Sequence, residues 1–296
     1  MLSAQGQLAR FAIVLLALTL AGCHPAGPPL NLPPGASVLH VADTDDVPTL
    51  DPAAGYDTVS WSFEQMIFDT LVRYSAGGVN LVPDVATSWE QSADSRTFSF
   101  HLRKDVYFTN GRRVTSADFK YAIQRVLNPA TRSQGSEYFR EIVGAADYVA
   151  GHSSSVSGIE TPDQWTIVFH LTGRDPIFID KLAMPFASAV PREEVARWGE
   201  NFSRHVVGSG PFMLKQWIGG RRLVLVRNPH YFIKGIPRVD AVVETMGVSD
   251  ELRWLRFEAG KLDISSIPPA EFPYVMKTPS LKALTSKIVT LATQYL

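Results

Sequence analysis

Cysteine occurs once in the 296 residues, at position 23. A lone thiol forms no intrachain disulfide, so the fold does not depend on the redox state of its compartment. Charge of one sign is not in excess either. The formal net charge of −1 leaves no electrostatic footprint for nucleic acid or an anionic membrane surface. Long apolar runs are scarce. Phe11 to Leu20 has ten residues, about half of the roughly 20 that span a bilayer, and no second run approaches that length. Patterns that carry chemistry are also missing. The seven histidines show no i, i+4 pair and no HExxH, which argues against a zinc site. GxxxxGK[ST] is absent, and with it a phosphate-cradling loop. Ser209 lies between glycines, but Val207 stands where a GxSxG elbow needs its first Gly. Asp43, Asp45 and Asp46 lack the spacing and closing Glu of a calcium loop and read as a solvated turn. No catalytic residues, metal or cofactor are expected.

What is present begins with the place of that single cysteine. Arg10 precedes the apolar run, and Leu20-Ala21-Gly22-Cys23 follows it. A short apolar stretch ending in small residues suits a secretory signal. The ending resembles the bacterial lipobox, which implies cleavage before Cys23 and acylation of its thiol. The alternative is a plain signal peptide cut near Gly22 that leaves the cysteine unmodified. Residues 1–22 are therefore read as a signal peptide. Residues 23–36 follow as a tether, because five prolines between His24 and Gly35 forbid a helix or a central strand.

The composition of the whole chain, 45% hydrophobic and 10% aromatic, is that of an ordinary globular protein. Val38–Ala42 reads as a strand and Thr58 to Leu71 as a helix. Thr97 to Arg103 alternates strictly, with Phe98, Phe100 and Leu102 on one face. Thr115 to Asp118 opens a helix whose Phe119, Ala122, Ile123 and Val126 form an inward stripe, and Pro129 stops it. Trp165 to Leu171 and Leu223 to Arg227 read as strands. Glu251 to Ala259 reads as a helix with Leu252 and Leu255 on its face, ended by Gly260. Strands and helices interleave without a regular βαβ period, which predicts a mixed α/β, or α+β, body.

Six segments then occur in register: LDPAAGYD at 50–57, IFDTLVRY at 67–74, a long stretch from Leu81 to Phe119, VGSGPFMLKQW at 207–217, LVLVRNPHYF at 223–232 and FEAGKLDI at 257–264. Together they resemble the bacterial extracellular solute-binding proteins of family 5, the oligopeptide and dipeptide receptors of ABC importers. Ser209 stands where the family usually has Thr, and Phe212 where Tyr is common. Read from the residues, most of these motifs are structural. Pro83 to Ala86 and Trp89 are expected to feed a buried indole into a hairpin. Asn110-Gly111 is a type I′ turn signal, and Gly208 to Pro211 reads as a flexible loop or hinge of positive-φ glycines.

The resemblance implies a class II periplasmic-binding-protein fold. The first lobe comprises residues 37–68 and a return segment at 192–296, with a small inserted domain at 69–191. The resemblance also implies that the second large lobe is missing, since the chain stops in an apolar stretch where relatives enter it. Half a cleft is expected to bind ligand weakly. The resemblance further implies that Gly55, Tyr56 and Asp57 lie at the cleft and offer backbone to an extended peptide, as in strand addition. It implies more weakly that Ser136 and Tyr138 belong to a segment that reaches over the cleft in relatives. The implied protein is a monomeric, lipid-anchored receptor in the periplasm or at the cell surface. It passes a peptide to an ABC permease and its ATPase without catalysis. A nickel chelate or oligosaccharide as ligand, or a non-transporting receptor or chaperone on the same fold, are the alternatives.

Overall fold

The computed structural model describes residues 30–286. Cys23, the apolar run before it and the last ten residues lie outside the described residues. Residues 30–36 form no helix or strand, and the Ala36 N–H donates to Pro33 O at 3.1 Å to close a turn.

The first half of the remaining chain contains β1 (Val38–Ala42), α1 (Thr58–Ile67), β2 (Val72–Tyr74), β3 (Leu81–Pro83), β4 (Ala86–Gln91), β5 (Thr97–Leu102), α2 (Ser116–Leu127) and α3 (Ala145–Val149). After these come β6 (Ile159–Asp163), β7 (Thr166–His170), α4 (Phe178–Lys181), α5 (Arg192–Trp198), β8 (Phe212–Ile218), β9 (Arg222–Arg227) and β10 (Ala241–Thr245). The short helices α6 (Asp250–Glu258), α7 (Phe272–Lys277) and α8 (Pro279–Ala283) follow.

One sheet has the strand order β1-β10-β9-β8, with β1 parallel to β10 and the other pairs antiparallel. A parallel pair requires a crossover between its strands. Here the crossover from β1 to β10 contains the whole of a second sheet, antiparallel β4-β5-β7-β6, and the β2-β3 hairpin. The mixed α/β class follows from that nesting.

Two apolar clusters hold these layers. The first is built on β5 and β7, where Phe98 lies opposite Phe169 and Phe100 opposite Ile167, all fully buried. Each such ring contributes about 1.5–3 kcal/mol of burial free energy. The second lies under the β8–β9–β10 face and includes Phe63, Ile67, Phe202, Leu223, Leu225 and Val242. Two helices serve both. Phe119, Ile123 and Val126 of α2 enter the first cluster, while Ala122 enters the second. Phe63 and Ile67 of α1 lie in the second, while Trp61 packs on the first. The N-terminus of α2 is secured by Asp118, whose Oδ2 accepts the Thr115 N–H at 2.8 Å and the Thr115 hydroxyl at 3.0 Å.

Several expectations are corrected by these packing demands. Helix α1 stops at Ile67, not Leu71, and Phe68 turns extended at φ −122°, ψ 156°. That break turns Phe68 and Leu71 into different clusters, which a continuing helix would not do. The Asn110-Gly111 turn is not type I′, since only Gly111 has positive φ, at 88°. Asn110 Oδ1 accepts the Arg112 N–H at 3.0 Å, a local bond that stabilises the turn without left-handed backbone at Asn110. Gly208 and Gly210 are buried and lack positive φ. A Cβ on Gly208 would stand 2.0 Å from Ile67 O, and one on Gly210 2.5 Å from Ile67 C. These glycines therefore allow close packing on the end of α1 and do not form a hinge. Trp89 is half-buried, stacked on Phe100 at 6.5 Å. On α6 the inward residue is Trp254, and Leu252 and Leu255 are exposed.

Candidate functional site

The loop before α1 is built by Asp51. Its carbonyl accepts the Ala54 and Gly55 N–H groups at 2.8 and 2.9 Å, and its Oδ1 accepts the Ala53 N–H at 3.1 Å. Arg125 of α2 grips the Asp51 carboxylate with both terminal nitrogens, Nη1 lying 2.5 Å from Oδ1. A bidentate pair of this kind fixes orientation as well as distance, so the loop is tied to the helix shared by both clusters. Asp57 caps α1, its Oδ1 accepting the Ser60 N–H at 2.8 Å.

Between these two anchors Tyr56 stands 47% exposed. Its ring stacks on Phe186 with centroids 6.1 Å apart and meets Trp61 edge-on at 6.3 Å. Phe186 in turn contacts Trp61 at 5.7 Å and Tyr138 at 6.0 Å. The hydroxyls of Tyr56 and Tyr138 are 3.5 Å apart. That neighbour, followed by burial, raises the Tyr138 pKa above the ordinary tyrosine value. Two segments singled out separately in the sequence are thus brought together as one four-ring patch. Phe186 seats against Gly135, where a Cβ would stand 2.5 Å from its ring.

Ser136 lies half-buried on the Gln134–Phe139 turn, and its N–H donates to Ser133 O at 3.3 Å. Gly55 differs from expectation. Its N–H is taken by Asp51 O, and its carbonyl accepts the Trp61 indole N–H at 3.0 Å. Its N–H is therefore not available to pair with an extended ligand. The glycine is needed for another reason: a Cβ there would come within 2.2 Å of Glu64 Oε1.

Glu64 is fully buried beneath this loop, and neither carboxylate oxygen has a hydrogen-bond partner among the described residues. Burial first, then the charges of Asp51 and Asp57, push its pKa up to about 8. The carboxyl is therefore mostly protonated at neutral pH. Trp61, Glu64, Arg125 and Phe186 were not singled out from the sequence. Trp61 lies four residues after Asp57 on the same helix, which was a usable signal; nothing local marks Phe186, 130 residues beyond Tyr56. Asp43 is paired with Arg253 at 3.9 Å, and Asp46 Oδ2 accepts the Gly220 N–H at 2.7 Å, so this turn is bonded as well as solvated. Among the described residues no three His, Cys, Asp or Glu side chains group to hold a metal.

Comparison with known proteins bears on what such a patch serves. A family model described as bacterial extracellular solute-binding proteins, family 5 Middle, matches residues 80–296. The periplasmic oligopeptide-binding protein OppA of Escherichia coli (strain K12) is 28% identical over 226 residues, which cover 75% of this chain and 41% of OppA. The probable D,D-dipeptide-binding periplasmic protein DdpA of the same strain is 31% identical over 272 residues, or 88% of this chain and 48% of DdpA. Among solved structures, Haemophilus influenzae OppA in complex with RPPGFSPFR superposes with a TM-score of 0.75 at 25% identity, covering 82% of this chain and 48% of that one. The chain spans less than half the length of each of these proteins.

Proposed function

The chain belongs to the bacterial extracellular solute-binding proteins of family 5, and from that premise we propose that it contributes one side of a peptide-binding cleft. The observation that carries this reading is the aromatic patch of Tyr56, Trp61, Tyr138 and Phe186, held by a loop clamped through Arg125. The exposed Tyr56 ring and half-buried Tyr138, set on the buried Phe186, offer apolar area at little conformational cost, and the two tyrosine hydroxyls supply polar contacts to a peptide backbone. The names of OppA and DdpA support a peptide as ligand. On this reading Tyr56 and Tyr138 touch the ligand. Asp57 and Gly55 position the loop, and Ser136 lies at its margin.

The wider role is an extracytoplasmic receptor that delivers peptide to an ABC permease without catalysis, tethered by lipid on Cys23. The division into a first lobe (37–68 and 192–296) and an inserted domain (69–191) is supported by the two apolar clusters, whose members, Ala53 and Ala122 apart, change over near Phe68 and Val190. The test uses a method that also detects weak binding. Saturation-transfer NMR with tri-alanine on the full chain should transfer magnetisation to the peptide methyl groups. The Tyr56→Ala and Tyr138→Ala variants, folded by circular dichroism, should lose most of that transfer. Equal transfer in both variants would refute the aromatic patch as the peptide surface.

A further inference from the structure

A cavity of about 310 Å³ lies beside the start of β2, lined on one side by Pro185 and Ser188 and on another by Tyr231, Ile233 and Ile236. It shares the Pro185–Ala187 turn with the aromatic patch, where Phe186 joins the rings and Pro185 faces the cavity. Two carboxylates, Asp69 and Asp84, also line it although they are only 4% and 5% exposed. Each is half satisfied. The Tyr231 hydroxyl donates to Asp69 Oδ1 at 3.1 Å, and the Thr70 N–H donates to Asp84 Oδ2 at 3.2 Å. Asp69 Oδ2 and Asp84 Oδ1 receive no hydrogen bond from the described residues.

The neighbouring donors do not meet this demand. Arg73 Nε lies 3.5 Å from Asp84 Oδ1, an ion pair beyond ordinary hydrogen-bond length. The Ser209 hydroxyl is near enough to lower the Asp69 pKa, yet its Oγ completes no hydrogen bond. Arg103 also acts on Asp84 but is held by both oxygens of Asp105, so three carboxylates face two guanidinia and one negative charge is in excess. Burying that charge without a partner is unfavourable, so both carboxyls hold their protons more tightly than in water. Burial first raises Asp69 to about 6, and burial together with Asp69 raises Asp84 well above the carboxylate range.

We propose that this cavity binds an organic monocation through an alkylammonium group, whose N–H donors meet Asp69 Oδ2 and Asp84 Oδ1 while its hydrocarbon lies against Phe68, Pro185, Ile233 and Ile236. One positive charge balances the excess, and three ammonium donors suit two open acceptors. The apolar lining favours a short alkyl chain over a hydrated metal ion. This site is separate from the aromatic patch, and it stands whether or not a peptide binds there. Binding displaces protons from the acids, because a cation favours their ionised forms.

Calorimetric titration of the full chain at pH 7 with butylammonium chloride tests the assignment, with butanol and calcium chloride as controls. Saturable binding with a Kd of about 1 mM or tighter is expected for butylammonium alone, with proton release read from its dependence on buffer ionisation heat. The affinity should fall at least about tenfold in Asp69→Asn, and also in Ile236→Trp, which fills the cavity without touching either carboxylate. Tyr56→Ala should bind as wild type. The absence of saturation, equal binding of butanol, preference for calcium, unchanged affinity in Ile236→Trp, or loss in Tyr56→Ala would each overturn the proposal. An ammonium can come from a free amine or from a lysyl side chain. Binding of butylammonium without binding of Nα-acetyl-lysinamide assigns the first source, and binding of both admits the second.

Discussion

Raising the pH takes the Glu64 carboxyl from neutral to ionised inside the fold, because its pKa there is about 8 against an ordinary value of 4.5. Between those two values the native chain keeps a proton that the unfolded chain has released. Stability therefore falls as pH rises through this window, by about 1.4 kcal/mol per pH unit. Across the whole shift the loss is about 5 kcal/mol, comparable with the total stability of many domains, which is about 5–15 kcal/mol. Asp69 and Glu244, raised to about 6 and about 7, slope in the same direction. The informative quantity is thus the difference between wild type and Glu64→Gln, which keeps the side-chain shape and cannot ionise. Urea unfolding of both proteins at a series of pH values between about 5 and about 9 measures it. The variant should gain on wild type by several kcal/mol between pH about 5 and about 8 and level off above that. Parallel curves would refute the buried, unpaired placement of Glu64.

Arg125→Ala leaves the Asp51 carboxylate nearly buried without its guanidinium, and thermal unfolding should register a loss of about 3–5 kcal/mol. Its effect should shrink when Asp51→Asn is added, since the orphaned charge is then gone. Gly208→Ala sets a Cβ 2.0 Å from Ile67 O. Backbone must move to accept it, so a loss of about 1–3 kcal/mol or more is expected in denaturant unfolding; an unchanged midpoint would restore the hinge reading of that loop. Radiolabelled palmitate should enter the wild-type chain expressed in a bacterium and not the Cys23→Ala variant, and equal labelling would remove the lipid anchor.

The sequence by itself determined the elements whose signals are local. The alternation of Phe98, Phe100 and Leu102 made β5 legible, and the i, i+3, i+4, i+7 stripe with Asp118 behind Thr115 made α2 legible, because burial periodicity and capping act over a few residues. The mixed α/β class was legible from interleaved strand and helix patterns and the family from six ordered segments, and that resemblance also marked Tyr56 and Tyr138 as separate points of interest. Their meeting was decided only in three dimensions. Phe186 joins them across 130 residues from Tyr56, a contact set by how the inserted sheet packs and carried by no spacing rule. The end of α1 and the tight glycines at 208 and 210 have the same origin, since Ile67 O occupies the space that a side chain would need. Glu64 is the sharpest instance: in the sequence it is an ordinary helical glutamate, and the closure of the loop over it, with Asp51 and Asp57 nearby, turns it into a buried neutral acid. Local chemistry chose the elements, and the desolvation and close approach that define the site arose only when distant segments packed together.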